Sequence, residues 1–235
     1  GLFSWELGEF VDIVPPQQRI DEHWYRGTAD AVYQNIYSIE KEDPQHVIIL
    51  AGDHVYKMDY EPMLQMHHER QADVTVGCIE VPREESRRFG IVQVDQTERV
   101  IGFQEKPSDP QPLPGDRACC LASMGIYVSG PRFLFETLCR DAARGDSGHD
   151  FGRDVIPDIM HSQRVFAYPF VDENRKQTAY WRDVGTIDAF WKANIDLTHV
   201  VPELNLYDDH WPILSLQPQL PAAKFVFDDD TRRGT

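Results

Sequence analysis

The apolar run HVIILA, residues 46–51, is short and shows no alternation of polar with apolar side chains. Such a run reads as a strand buried on both faces. It ends at Gly52 and Asp53, and the loop GDHVYKMD leads on to a helical stretch around Met63 to Glu69. DVTVGCIEV (73–81) follows, rich in β-branched residues and partly alternating, and reads as the next strand. A helix between two such strands requires a crossover, and crossovers join parallel strands. The first half of the chain is therefore expected to be α/β around a parallel sheet.

Upstream, after Pro15 and Pro16, Thr28 and Asp30 open a helical pattern with Val32, Ile36 and Ile39 on one face. Downstream the chain is richer in strands, expected at 89–95 (FGIVQVD), 99–106 (RVIGFQEK) and 123–130 (SMGIYVSG), with a Pro-rich loop at 107–116. Helices are expected at 131–143 and 152–161, then a strand at 164–170. YWRDVGT (180–186) leads into an amphipathic helix carrying Ile187, Phe190, Trp191, Ile195 and Leu197. From residue 200 the chain is Pro-punctuated and irregular, and reads as a connector.

Composition removes several classes. With 235 residues, 41% hydrophobic and 26% charged, the chain is long enough for a sizeable core and is not of disordered type. No apolar run approaches the ~18 residues of a membrane span. The net charge of −16 disfavours generic binding to nucleic acid, though a few converging Lys or Arg can still hold an anion locally. Cys78, Cys119, Cys120 and Cys139 form no CxxC pair and no zinc spacing, so a reducing, cytoplasmic setting is expected. There is no initiator Met and no leader segment; both ends read as cuts.

Four segments could carry chemistry. In VIILAGD, Asp53 stands where a buried strand ends, the place where open α/β sheets bind ligands. A carboxylate there is suited to Mg²⁺, or it merely caps a turn. Asp183 in YWRDVGT sits among Tyr180, Trp181 and Val184, where a carboxylate needs a positive partner: Arg182 or a metal. Two such aspartates on one cation is an arrangement that phosphoryl and nucleotidyl transfer uses. Lys106 closes FQEKP and suits a phosphate, or pairs with Glu105 at the surface. In WYRGTADA, Gly27 and Thr28 precede a helix whose free N–H groups could meet an anion, or Thr28 is an ordinary N-cap. The nine histidines show no HExxH, and the chain holds neither GxGxxG nor GxxxxGK[ST], the usual backbone cradles for nucleotide phosphates.

Taken together, WYRGTADAVYQN, ILAGDHVY, FGI, FQEKP, LASMGIY, HDFGRDVIP and YWRDVGTIDAFWKAN closely resemble the bacterial ADP-glucose pyrophosphorylase family over essentially the whole chain. AGD and EKP occur across sugar-phosphate nucleotidylyltransferases; the other motifs point to the ADP-glucose branch. The resemblance implies a Rossmann-like α/β nucleotidyltransferase fold, a mostly parallel mixed sheet flanked by helices and truncated at both ends. Residues 1–199 would be a partial catalytic domain lacking its Gly-rich loop. Residues 200–235 would lead to an absent left-handed β-helix domain. It implies the reaction ATP + glucose 1-phosphate to ADP-glucose + pyrophosphate with Mg²⁺, for glycogen synthesis, in an allosteric homotetramer that binds neither nucleic acid nor membrane.

By motif, the resemblance makes Asp53 and Asp183 the metal-binding carboxylates. It gives Glu105 the sugar hydroxyls, Lys106 the sugar phosphate, Gly90 and Ser123 the glucosyl pocket, and Tyr25 the substrate and nucleotide side. The alternatives are another sugar-phosphate nucleotidylyltransferase using UTP, CTP or dTTP, a non-catalytic regulatory subunit, or a sugar-nucleotide binding module.

Overall fold

In the computed structural model, the described residues are 9–16, 24–113, 116, 118–172, 177–178, 180–206, 208 and 210–213. The expected connector therefore lies outside the described residues from 214 onward. Contacts divide the chain into two units. One, Pro15–Leu204, holds every helix and strand below; the other consists of Gly1–Val14 and Asn205–Thr235, whose described residues form no helix or strand. No helix among the described residues is long and apolar enough to cross a membrane.

The helical pattern after Gly27 is realised as α1 (Thr28–Tyr33) and α2 (Ile36–Glu40). Next come β1 (Val47–Ile49), β2 (His54–Tyr56), α3 (Glu61–Glu69) and β3 (Val74–Pro82). The strands β4 (Gly90–Val94), β5 (Val100–Glu105) and β6 (Cys119–Ser129) precede α4 (Pro131–Ala142). A π-helical turn, Phe151–Val155, runs into α5 (Ile156–Ile159). β7 (Val165–Pro169), the short pair β8 (Val171–Asp172) and β9 (Gln177–Thr178), β10 (Trp181–Asp183) and α6 (Ile187–Asp196) complete the unit.

The main sheet has the order β5-β4-β6-β3-β7, with β1 also paired to β6. The expectation of a mostly parallel sheet is wrong: every pairing is antiparallel except β3 with β7. β1 and β3 do run in the same direction, joined through α3, but the antiparallel β6 lies between them, against Ser129, Val128 and Tyr127 on both sides. Parallel direction does not imply parallel pairing.

Burial explains why β3 and β6 are central. Val74, Val76 and Cys78 face one apolar cluster with Leu134 and Leu138 of α4 and Ile156 and Ile159 of α5. Ile79, Val81, Cys120, Ala122, Met124, Ile126 and Val128 face a second cluster with Met63 of α3 and Trp181 of β10. The period-2 alternation thus sends apolar side chains to helices on both faces, and near-continuous apolar runs result. β1 is also double-faced, but its residues are only half-buried, because among the described residues it pairs on one side alone, with β6. The loop expected at GDHVYKMD contains β2, which the sequence reading missed. α6 forms as expected, yet Ile187, Phe190 and Trp191 are exposed and only Ala193 is buried.

His67 of α3 is buried, with its Nδ1 2.8 Å from Thr75 Oγ1. Burial, assisted by the neighbouring His46, lowers its pKa to about 4. The folded protein therefore holds a neutral imidazole, while the unfolded chain protonates near the ordinary value of 6.5. Stability should fall as the pH drops from 6.5 to 4 and level off below, by up to about 3 kcal/mol. Urea midpoints against pH, compared with those of His67→Gln, check this: the variant should lack that component of the decline.

Candidate functional site

β6 is flanked on one edge by two strands that do not meet. β1 pairs along Tyr127–Ser129 and β4 pairs at Leu121 and Ala122, which leaves residues 123–126 without a strand partner on that side. At the same point the register with β3 shifts between Gly77 and Cys78, so that Met124 and Gly125 bulge from the ladder. The split opens between the ends of β1, β4 and β5, and the candidate residues gather around it.

Asp53 and Asp183 are brought together by the two-stranded ladder of β2 and β10, in which His54 pairs with Asp183 and Tyr56 with Trp181. Val184 N–H also donates to the carbonyl of Asp53 at 3.0 Å. A carboxylate oxygen from each aspartate and a ring nitrogen of His54 all lie within 4.8 Å of one another. Gly185 sits between the two carboxylates: its N–H donates to Asp183 Oδ1 at 2.8 Å, and a Cβ there would stand 3.3 Å from Asp53 Oδ2.

His54 Nδ1 is 2.9 Å from the Met124 carbonyl, which can only accept, so Nδ1 is the protonated nitrogen. Nε2 then faces Asp53 Oδ1 at 3.7 Å. Arg182, the ordinary partner weighed for Asp183, is engaged elsewhere, with Glu203 at 3.0 Å and Asp196 at 3.8 Å. Among the described residues neither Asp53 nor Asp183 forms an ion pair with Lys or Arg. Two oxygens and a nitrogen fit a divalent cation.

On the other side of the split stand Gly90, Glu105, Lys106 and Ser123. Gly90 pairs directly with Glu105 across β4 and β5. A Cβ at Gly90 would strike the Phe103 ring and come within 3.0 Å of Glu105 Oε2, so glycine here gives the Glu105 carboxylate its place. Burial pushes the Glu105 carboxyl above its ordinary range, opposed by Lys106 and assisted by Asp150. Lys106 Nζ lies 3.7 Å from Glu105 Oε1, and its N–H is bonded to the carbonyl of Phe89 at 3.1 Å.

Tyr127 was not singled out from the sequence. It is buried on the same face of β6 as Ser123, and burial raises its pKa and keeps the hydroxyl neutral. Strand parity carried the signal, since 123 and 127 fall on one face of β6. Asp150 and Trp181 were likewise given no role. Trp181 packs edge-on against both His54 and Phe89, each at 5.0 Å, and so links the aspartate side to the Lys106 side. Its Nε1 is buried without a partner. Tyr25 is not brought into these contacts; its hydroxyl accepts from Asn35 Nδ2 at 2.9 Å.

A separate cleft is lined by His46, His67, Asp73, Arg132, Glu136 and Arg164. Its arginines are matched, Arg132 with Glu136 and Arg164 with Asp73, each at 3.0 Å. It has no surplus positive charge with which to hold an anion.

A helix-flanked sheet, split at a bulged strand, with converging carboxylates on one side and a Lys-Glu pair on the other, makes this an α/β protein. Residues 4–200 match the nucleotidyl transferase family, and the chain belongs to that family. It is 62% identical over 230 residues to the glucose-1-phosphate adenylyltransferase of Rhodopirellula baltica, covering 98% of this chain and 52% of the relative. Glucose-1-phosphate adenylyltransferase 2 of Alkalilimnicola ehrlichii is 58% identical over 234 residues, and the Methylococcus capsulatus enzyme of the first name 56%, each covering 100% of this chain and 55% of the relative. The chain spans about half the length of the curated relatives it matches.

The cross-strand fit at Gly90 yields a test. Gly90→Val must displace Phe103 or Glu105, and overpacking of this kind should cost about 1–3 kcal/mol. A chemical denaturation midpoint measured beside that of Gly90→Ala checks the expectation, with the smaller side chain costing less.

Proposed function

We propose that the intact protein is a glucose-1-phosphate adenylyltransferase, converting ATP and glucose 1-phosphate to ADP-glucose and pyrophosphate. The observation that carries this reading is the sustained identity, 56–62% across nearly the whole chain, with relatives bearing that name. The convergence of Asp53 with Asp183 supports it independently.

In this reading the phosphate oxygen of glucose 1-phosphate attacks the α-phosphorus of ATP, a new O–P bond forms, and the bond to the bridging oxygen breaks as pyrophosphate departs. The protein's contribution is positioning and charge neutralisation, with no covalent intermediate required. Asp53 and Asp183 hold a divalent cation, Mg²⁺ in the first instance, with His54 beside them; such a cation supplies charge neutralisation on the phosphates. Lys106 meets the sugar phosphate as a point charge. Glu105 accepts from sugar hydroxyls, and Ser123 offers a hydroxyl at the glucosyl pocket beside Gly90. Tyr25 serves the nucleotide side. A cytoplasmic location suits the four free cysteines.

ADP-glucose formation from ATP, with UTP, CTP and dTTP as competitors, tests the reading; equal use of another nucleotide would overturn the choice of base. Asp53→Asn and Asp183→Asn should each lower turnover by ~10³-fold or more. Near-normal rates in either would remove that residue from the metal role. Binding of ADP-glucose by equilibrium dialysis should weaken with EDTA, whereas a plain sugar-nucleotide binding module would be indifferent to it. Lys106→Gln should raise the KM for glucose 1-phosphate by ~10²-fold while leaving that for ATP nearly unchanged.

A further inference from the structure

Beneath the Glu105 side of the split runs the segment Ser147–Gly152, and its conformation depends on a buried pair that the reaction itself does not use. His149 and Asp141 are only 3% and 6% exposed. His149 Nδ1 lies 2.8 Å from Asp141 Oδ2, and Ser147 Oγ donates to Asp141 Oδ1 at 2.7 Å while accepting from the His149 N–H at 3.0 Å. The His149 backbone is left-handed, with φ 55, a conformation that costs a non-glycine residue of order 1 kcal/mol or more. Such strain persists only where the surroundings over-determine it.

This turn aims two groups. The His149 carbonyl points at the start of α1, accepting from Ala29 N–H at 2.8 Å and Asp30 N–H at 3.3 Å. Gly27 must be glycine because a Cβ there would clash with that same carbonyl. The next residue, Asp150, accepts from Thr28 Oγ1 at 2.9 Å and from the N–H groups of Gly152 and Arg153, also at 2.9 Å. Phe151 N–H donates back to Thr28 Oγ1 at 3.1 Å, and the Phe151 ring stacks on Tyr127 with centroids 5.1 Å apart. A Cβ on Gly152 would stand 3.2 Å from Phe103 and 3.5 Å from Glu105 Oε2. The loop therefore stacks on Tyr127 and lies beside Phe103 and Glu105.

We propose that His149 and Asp141 are a positioning pair, locking the 149–152 turn so that Glu105 and the Tyr127 ring are held in register for the sugar phosphate. The proposal rests on the adenylyltransferase reading for its substrate, but not for its structural content. Two substitutions separate the pair from the strain. His149→Asn keeps a donor close to the position of Nδ1 and tolerates positive φ. His149→Gly relaxes the backbone yet leaves Asp141 buried without its imidazole partner, keeping the bond from Ser147.

In the intact protein, His149→Gly should raise the KM for glucose 1-phosphate by ~10-fold or more, with the KM for ATP changing by no more than about twofold, as expected when reacting groups are misplaced on one side of a site. His149→Asn should stay within about threefold of wild type on both. Independently of turnover, amide hydrogen exchange across residues 149–152 should quicken in His149→Gly and not in His149→Asn. Should His149→Gly fail to fold, Ser147→Ala removes one bond to Asp141 and should show the same one-sided rise, about twofold to fivefold. Equal losses for both substrates, or unchanged exchange in every variant, would overturn the pair. A wild-type protein that forms no ADP-glucose would overturn the function instead, and the exchange measurement would still decide the pair.

Discussion

The three-residue ladder between β2 and β10 is the contact on which the site depends. Asp53 and Asp183 lie far apart in sequence, and no side chain of either contributes to the fold's two apolar clusters. What joins them is backbone pairing, His54 opposite Asp183, closed by the Val184 N–H to Asp53 carbonyl bond. Like charges at this separation repel, and burying them would cost more than two short strands return. The arrangement is tolerated because Asp53 keeps 61% of its side chain in solvent and Gly185 donates to Asp183. Trp181 anchors the ladder from below, buried in the second cluster, so the apolar core supplies the energy that holds the carboxylates face to face.

The opposite wall is built by another principle: hydrogen bonds between loops that come from distant parts of the chain. Thr28 is both donor to Asp150 and acceptor from Phe151, so the start of α1 and the π-helical turn satisfy each other's free polar groups. The His149 carbonyl does the same for two more N–H groups of α1. This answers the question left by WYRGTADA, where Thr28 could be an N-cap or an anion contact. Its hydroxyl caps a turn, but the turn belongs to Asp150 and not to its own helix, for α1 has no side-chain cap.

Local pattern made most elements legible: α3, β3, β4, β5, α4, β7 and α6 fall within a few residues of their expected spans, because apolar periodicity there agrees with burial. Pairing was not legible. Nothing in HVIILA or DVTVGCIEV reveals that SMGIYVSG inserts between them, since a doubly buried strand carries the same apolar run whether its neighbours are parallel or antiparallel. β2 was missed for a different reason. Three residues, His54–Tyr56, are too few for a periodic signal, and their strand character comes from β10. The same gap hid the ring nitrogen of His54 beside the two carboxylates and the Asp141–His149 pair, whose members are joined by tertiary folding and not by any motif spacing. The candidate aspartates were visible one at a time; their meeting was not.

Lys106 shows that a bland and a functional reading of one residue can both describe it. Its ammonium rests 3.7 Å from Glu105 Oε1 with 65% of the side chain exposed, the geometry of an ordinary surface pair. Such pairs are worth about 0–1 kcal/mol, so a phosphate can take the lysine at little cost. The backbone tells against an incidental placement. Lys106 is left-handed, with φ 44, immediately before Pro107, and its N–H is held by Phe89, whose ring leans on Trp181. That is strain retained by the wall that also carries Gly90 and by the aromatic bridge to the aspartates. A lysine held this way has its backbone fixed while its charge stays free to change partners, as the proposed binding of a sugar phosphate would require.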